Sequence, residues 1–134
     1  MWSVACILPE MRSSVPLFPG RDEVDQMGCI VECLGMPPEE LLSTSSKVTR
    51  YFDSKRRLYQ GKQKGEREPP PSTPNGPPLS NKVPASKSIA QLFRSRHSDD
   101  EEQLASLLLE CLRYMPSQRL TPKQALMNPW LQQM

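Results

Sequence analysis

A chain of 134 residues has room for one domain and little else. Hydrophobic residues make up 37%, and fifteen prolines are roughly twice the usual share, so a non-globular stretch is expected inside a foldable chain. No apolar run reaches about 18 residues, which excludes a membrane-spanning helix, and the formal net charge of +2 is unevenly spread along the chain.

The first zone, residues 1–52, reads as helical. Trp2, Cys6, Ile7 and Met11 are apolar at helical spacing. Pro16 and Pro19-Gly20 then force a turn. Val24, Met27, Val31 and Leu34, widened by Ile30, form the stripe of a second helix. Asp22 and Glu23 sit at its start, where negative charge is favoured, and Gly35 stops it. Pro37-Pro38-Glu39-Glu40 opens a third, short helix with proline and acids in its first turn.

The second zone, residues 53–97, shows no sustained period. Residues 47–97 carry twelve basic and three acidic groups, net +9, against net −5 for residues 1–46 and −2 for residues 98–134. With few apolar residues to offset the entropy of ordering its backbone, this zone is expected to be a flexible, basic, proline-rich insertion, partly polyproline II around Pro69-Pro70-Pro71.

The third zone, residues 98–134, is helical again. Ser98 and Glu101 fit a capping box. Leu104, Leu107, Leu108, Cys111 and Leu112 form one apolar face. Thr121-Pro122-Lys123-Gln124 is a second capping box with proline at the first helical position, and Asn128-Pro129 closes that helix. Helices are thus predicted near 1–13, 22–34, 38–45, 99–113 and 122–128, packed as a small all-α array.

The chemistry these residues leave out is informative. The single histidine, His97, lies in the polar segment, where a solvated loop residue is the simple reading. Cys29 and Cys33 stand i, i+4 on one helix, yet zinc wants four ligands and no second pair is near in sequence. They read as core thiols, and no metal site is expected. The cysteine spacing is not that of a disulfide scaffold, so a reducing compartment, cytosol or nucleus, is the expected location. Met1–Leu8 lacks the basic flank of a signal peptide. No glycine-rich phosphate cradle occurs. The basic run Lys55-Arg56-Arg57 with Lys62, Lys64 and Arg67 has only three nearby aromatics, Tyr51, Phe52 and Tyr59. A solvated basic loop is favoured over nucleic-acid binding. The P-x-x-P pattern at Pro71 to Pro77 lacks an orienting cation.

Taken in order, the helical zones resemble the C-terminal end of a eukaryotic protein kinase domain. Met1-Trp2-Ser3-Val4-Ala5-Cys6-Ile7-Leu8-Pro9-Glu10-Met11 is similar to the pattern D-M-W-S-L-G-C-I-L-x-E-M of its central hydrophobic helix, minus the first Asp. Pro16-Leu17-Phe18-Pro19-Gly20 is similar to the turn that follows. Leu108-Leu109-Glu110-Cys111-Leu112, Pro116-Ser117-Gln118-Arg119-Leu120-Thr121-Pro122 and Asn128-Pro129-Trp130 match the last two helices. The long insertion, Leu34-Gly35-Met36-Pro37-Pro38 and Tyr51-Phe52-Asp53-Ser54-Lys55 look most like the dual-specificity tyrosine-regulated (DYRK) group of the CMGC kinases, with the homeodomain-interacting kinases as nearest rival.

The resemblance implies an all-α kinase-like C-lobe fragment, helices F and G in residues 1–52 and helices H and I in residues 98–134. A complete parent would transfer phosphate from ATP, with magnesium, to Ser, Thr or Tyr of protein substrates. The glycine-rich loop, phosphate-pairing Lys, H-R-D and D-F-G motifs that this needs do not occur in the chain. No catalytic residue and no cofactor is therefore assigned to it, and its start suggests an internal methionine or an incomplete gene model. By resemblance Ile7 and Met11 would support the adenine site, and Glu10 would face a substrate arginine. Trp2 and Arg119 would be structural. The A-P-E glutamate that Arg119 pairs in the family does not occur here, so Arg119 should be exposed or differently paired. Pro9, inside the first helix, should kink it or cost about 3 kcal/mol. The alternative function is a non-catalytic protein-binding module or decoy, with Thr73-Pro74 as a candidate phosphosite on its basic arm. In either case the partner is a protein, not a membrane.

Overall fold

The computed structural model describes residues 1–62, 64–65, 67, 74, 76–92 and 99–133. Ser98 and its capping box, His97, Thr73 and the Pro69-Pro70-Pro71 run lie outside the described residues. The described secondary structure is helical: α1 (Trp2–Ser13), α2 (Glu23–Leu34), α3 (Glu39–Thr44), α4 (Val48–Tyr51), α5 (Ile89–Leu92), α6 (Asp99–Cys111), a 3-10 turn at Pro116–Gln118, α7 (Pro122–Ala125) and α8 (Pro129–Gln132). It divides into two compact units, one made of Met1–Leu17 and Lys87–Met134, the other of Phe18–Ser86.

In the first unit α6 is the centre. It packs against α1, α5 and α8. Leu104, Leu107 and Leu108, with Leu112 just past its end, are among the most deeply buried side chains. Burial of each contributes about 1.5–3 kcal/mol. Their spacing is the predicted one, although α6 stops at Cys111, two residues early. The Thr121 capping box forms as expected: Thr121 N–H donates to Gln124 Oε1 at 2.8 Å, and Gln124 N–H donates to Thr121 Oγ1 at 3.3 Å. The predicted helix over 122–128 is shorter, ending at Ala125. Asn128 caps a separate α8 by accepting from Trp130 N–H at 3.0 Å.

The first helix has its expected extent. α1 continues through Pro9. The ring is fully buried, so its lost hydrogen bond is offset by apolar burial. The face turned inward is Ala5 and Pro9, while Ile7 and Met11 are exposed. Small residues on the inner face let the leucine ridge of α6 come close. Arg12 adds an ion pair to Asp100 of α6 at 2.8 Å, partly open to water and worth at most about 1 kcal/mol.

In the second unit the boundary expected at Asp53 falls inside packed structure. Val31, Leu42, Phe52 and Leu58 form one buried cluster, with Met27, Met36, Val48 and Tyr51 against it. The chain turns sharply after α4. Asp53 Oδ1 accepts from the N–H groups of Lys55 and Arg57 at 2.9 and 2.8 Å, and Arg56 takes a left-handed φ of 62°. Phe52 then bridges Leu58, and Tyr59 bridges Leu79. Residues 53–62 and 76–86 are therefore held by backbone hydrogen bonds and one buried leucine, not by a periodic apolar face. That is why they read as a flexible insertion.

Lys82 fastens this returning segment to α2. Its ammonium lies 2.8 Å from Asp25 Oδ1 and 3.8 Å from Glu32 Oε2, and donates to Cys29 Sγ at 3.3 Å. Its stem crosses α2 at Gly28, where an added Cβ would sit 2.9 Å from Lys82 Cδ. A glycine in a helix interior costs about 1 kcal/mol relative to alanine; here it opens the path for the lysine. One turn earlier, the Asp22 carboxylate accepts from Asp25 N–H at 2.7 Å and from Lys62 N–H at 2.8 Å. Gly61 passes so close to Asp25 N that a Cβ would collide with it.

Burial works to raise the Asp25 pKa, but the Lys82 hydrogen bond, the Arg21 N–H and both cations outweigh it and hold the carboxyl below its usual range. Burial likewise works to lower the Lys82 pKa, and the bonds to Asp25 and Cys29 outweigh it upward. The depressed Asp25 contributes stability above the ordinary carboxylate pKa of about 3.9, lost as pH falls through its folded value. The raised Lys82 contributes below its ordinary pKa of about 10.4, lost as pH rises through its folded value. Thermal melting of the chain should therefore be flat between about pH 5 and pH 9 and fall on both sides. Lys82→Met should cost about 2 kcal/mol at pH 7 by stranding Asp25, and Asp25→Leu/Lys82→Met should recover most of it. A double variant no more stable than the single one rules out the ion pair as the fastening.

Candidate functional site

The residues singled out on α1 sit on its outer side. Val4, Ile7, Met11 and Val15 are 46%, 52%, 78% and 53% exposed. Their positions, three to four residues apart, place them along one side of the helix and its exit. Glu10 is exposed on the same helix. Cys6 is half-buried, and burial, helped by the Glu10 charge, pushes its thiol pKa up. Ile7 and Met11 thus present open apolar surface. Their exposure forms an apolar strip of the kind that marks an interaction surface.

Trp2 and Arg119 are brought together. The Arg119 guanidinium lies over the Trp2 ring, 5.1 Å from its centroid. Its Nε donates to the Arg113 carbonyl at 2.7 Å and Nη2 to the Tyr114 carbonyl at 3.1 Å. The Tyr114 ring stands 6.5 Å from that of Trp2, tilted by 43°. Of the two alternatives expected for Arg119, the second holds: it is differently paired. A fixed cation satisfies two carbonyls just beyond the C-terminus of α6, where positive charge is favoured, and covers an aromatic face. The fork geometry is specific to arginine.

Other sequence candidates do not converge. Thr73 and His97 lie outside the described residues. Among the described residues no group of three His, Cys, Asp or Glu side chains is placed to hold a metal ion. Cys29 and Cys33, read as core thiols, are half-buried, as is Cys6; Cys111 is buried, and all four are unbridged. Burial raises the Cys111 pKa, so its thiol stays protonated and inert. The Lys82 contact with Asp25, Cys29 and Glu32 was not singled out from sequence. Its one signal is Gly28, an interior helix glycine that marks a close approach.

No protein-family model matches the chain. Against curated proteins it is 34% identical to dual specificity tyrosine-phosphorylation-regulated kinase 4 of Homo sapiens, over 99% of its own length and 22% of the relative's. It is 35% identical to kinase 3 of that series from Rattus norvegicus, over 98% of this chain and 22% of the relative. It is 36% identical to kinase 2 from Drosophila melanogaster, over 98% and 16%. The chain thus spans about a fifth of the length of the relatives it matches.

The Trp2–Arg119 contact carries a direct test. Arg119→Ala should lower stability by about 2 kcal/mol in urea unfolding, from two lost hydrogen bonds and the ring contact. Arg119→Lys should recover less than half and shift the emission of Trp2. A lysine variant as stable as the parent chain contradicts the fork geometry.

Proposed function

We propose that this chain, a DYRK-like segment of a protein kinase of the CMGC group, is the helical scaffold of a kinase C-terminal lobe. The complete enzyme uses ATP and magnesium to phosphorylate Ser, Thr or Tyr of protein substrates. The observation that carries this reading is the alignment of 99% of the chain with a DYRK kinase at 34% identity. The exposed Ile7 and Met11 on α1 support it, because a scaffold helix needs such a face for the parts it carries. In the complete enzyme Ile7 and Met11 support the adenine site, and Glu10 faces a basic group of the substrate. Arg119 and Trp2 keep the end of α6 in place. The unbridged cysteines support a reducing compartment, cytosol or nucleus.

The chain alone holds neither the phosphate grip nor the catalytic base of phosphoryl transfer. Purified, it should turn over ATP no faster than buffer, and turnover that survives removal of contaminants refutes this. The exposed strip on α1 also favours a second reading, a non-catalytic module that binds a protein through that face. The intact mass of the endogenous product, captured with an antibody to residues 22–45, separates the two. A species of several hundred residues supports the enzyme; one the size of this chain supports the module. Cooperative unfolding without hydrophobic-dye binding is the second mark of a module.

A further inference from the structure

The Phe18–Ser86 unit holds a cleft of about 280 Å³ that the kinase scaffold reading does not use. Three segments wall it: the start of α2, the stretch around Lys62, and the returning segment at Lys82. Four cations line it, Arg21, Lys62, Lys64 and Lys82, against one carboxylate, Asp25. Asp25 is already engaged, by the Lys82 ammonium at 2.8 Å and the Arg21 N–H at 3.1 Å. The Asp22 carboxylate nearby is held by the N–H groups of Asp25 and Lys62. Lys82 is thus neutralised within the wall. Arg21 and Lys64 make no ion pair among the described residues, and the Lys62 ammonium meets only the Arg67 carbonyl, at 3.2 Å.

We propose that this cleft docks a phosphoserine or phosphothreonine side chain of a partner protein. Arg21, Lys62 and Lys64, none of them in an ion pair among the described residues, match the charge of about −1.5 to −2 on a phosphomonoester better than the single charge of an Asp or Glu. An arginine fork flanked by lysines suits its three oxygens. The volume takes a phosphorylated side chain with part of its backbone, not an extended strand. Tyr59 is the one aromatic residue on the wall, too few to stack successive bases of a nucleic acid. The Lys82–Asp25 pair fixes the floor, so the site is preorganised before any ligand arrives.

The test uses the full chain and a fluorescein-labelled peptide carrying one phosphoserine, with its unphosphorylated twin as control, read by anisotropy. The phosphopeptide should bind roughly tenfold tighter than the twin, and the difference should shrink as salt rises. Lys62→Gln/Lys64→Gln should abolish the preference with an unchanged melting temperature, and Arg21→Gln should weaken it independently. Lys123→Gln, in the other unit, should leave it intact. Equal binding of the twin overturns the proposal. So does an undiminished preference in the Lys62→Gln/Lys64→Gln and Arg21→Gln variants. A single-stranded RNA of matching length bound as tightly as the phosphopeptide also overturns it, and assigns the cleft to nucleic acid.

Discussion

The ion pair between Lys82 and Asp25 constrains the second unit more than any other single contact. Asp25 is buried near the start of α2, and a buried carboxylate without a cation is costly. Lys82 answers it from more than fifty residues further along the chain. To do so, residues 76–86 must return to α2, Gly28 must lack a side chain, and Gly61 must slip past the backbone of Asp25. The Leu58 anchor and the bridges of Phe52 and Tyr59 lie along the same path. Apolar burial alone, from a cluster of four buried residues, would leave this segment loosely specified. Charge pairing sets the register that burial cannot.

Much of the helical framework was legible in the sequence because its signals are local. The leucine spacing of α6, the Thr121 capping box and the Gly35 stop of α2 need only neighbours within four residues. What was missed depends on partners far apart. Residues 53–62 look structureless because Leu58 acts alone, and the Asx turn at Asp53 was the one clue. The inner face of α1 was not legible for a different reason. Large apolar residues dominate a periodicity count, whereas Ala5 and Pro9 matter through close fit and not through size. The roles of Ile7, Met11 and Glu10 came from resemblance alone; their exposure on α1 is what the structure adds.

The two units divide labour by chemistry. The first is stabilised by leucine packing, and its polar contacts, Arg119 on Trp2 and Arg12 on Asp100, trim helix ends and edges. The second relies on charge and backbone hydrogen bonds, and it carries most of the positive groups of the chain. Large apolar side chains left outward on α1 and, in the second unit, cations without an ion pair among the described residues are the features that internal stability does not explain. The first is a matter of contact area, the second of charge.

The connectivity of the units has a consequence for how the chain acquires its structure. One unit is a continuous stretch, Phe18–Ser86, set within a unit assembled from both ends of the chain. The discontinuous unit must bring α1 to α6 across some eighty residues, a closure costing on the order of 4 kcal/mol if the intervening chain is unstructured. The continuous unit closes through shorter steps, such as the turn at Asp53. Topology therefore favours an order of events in which the inner unit condenses first and shortens the search of the outer one. During synthesis, α1 emerges before α6 and must wait for it, with its apolar surface uncovered until α6 follows.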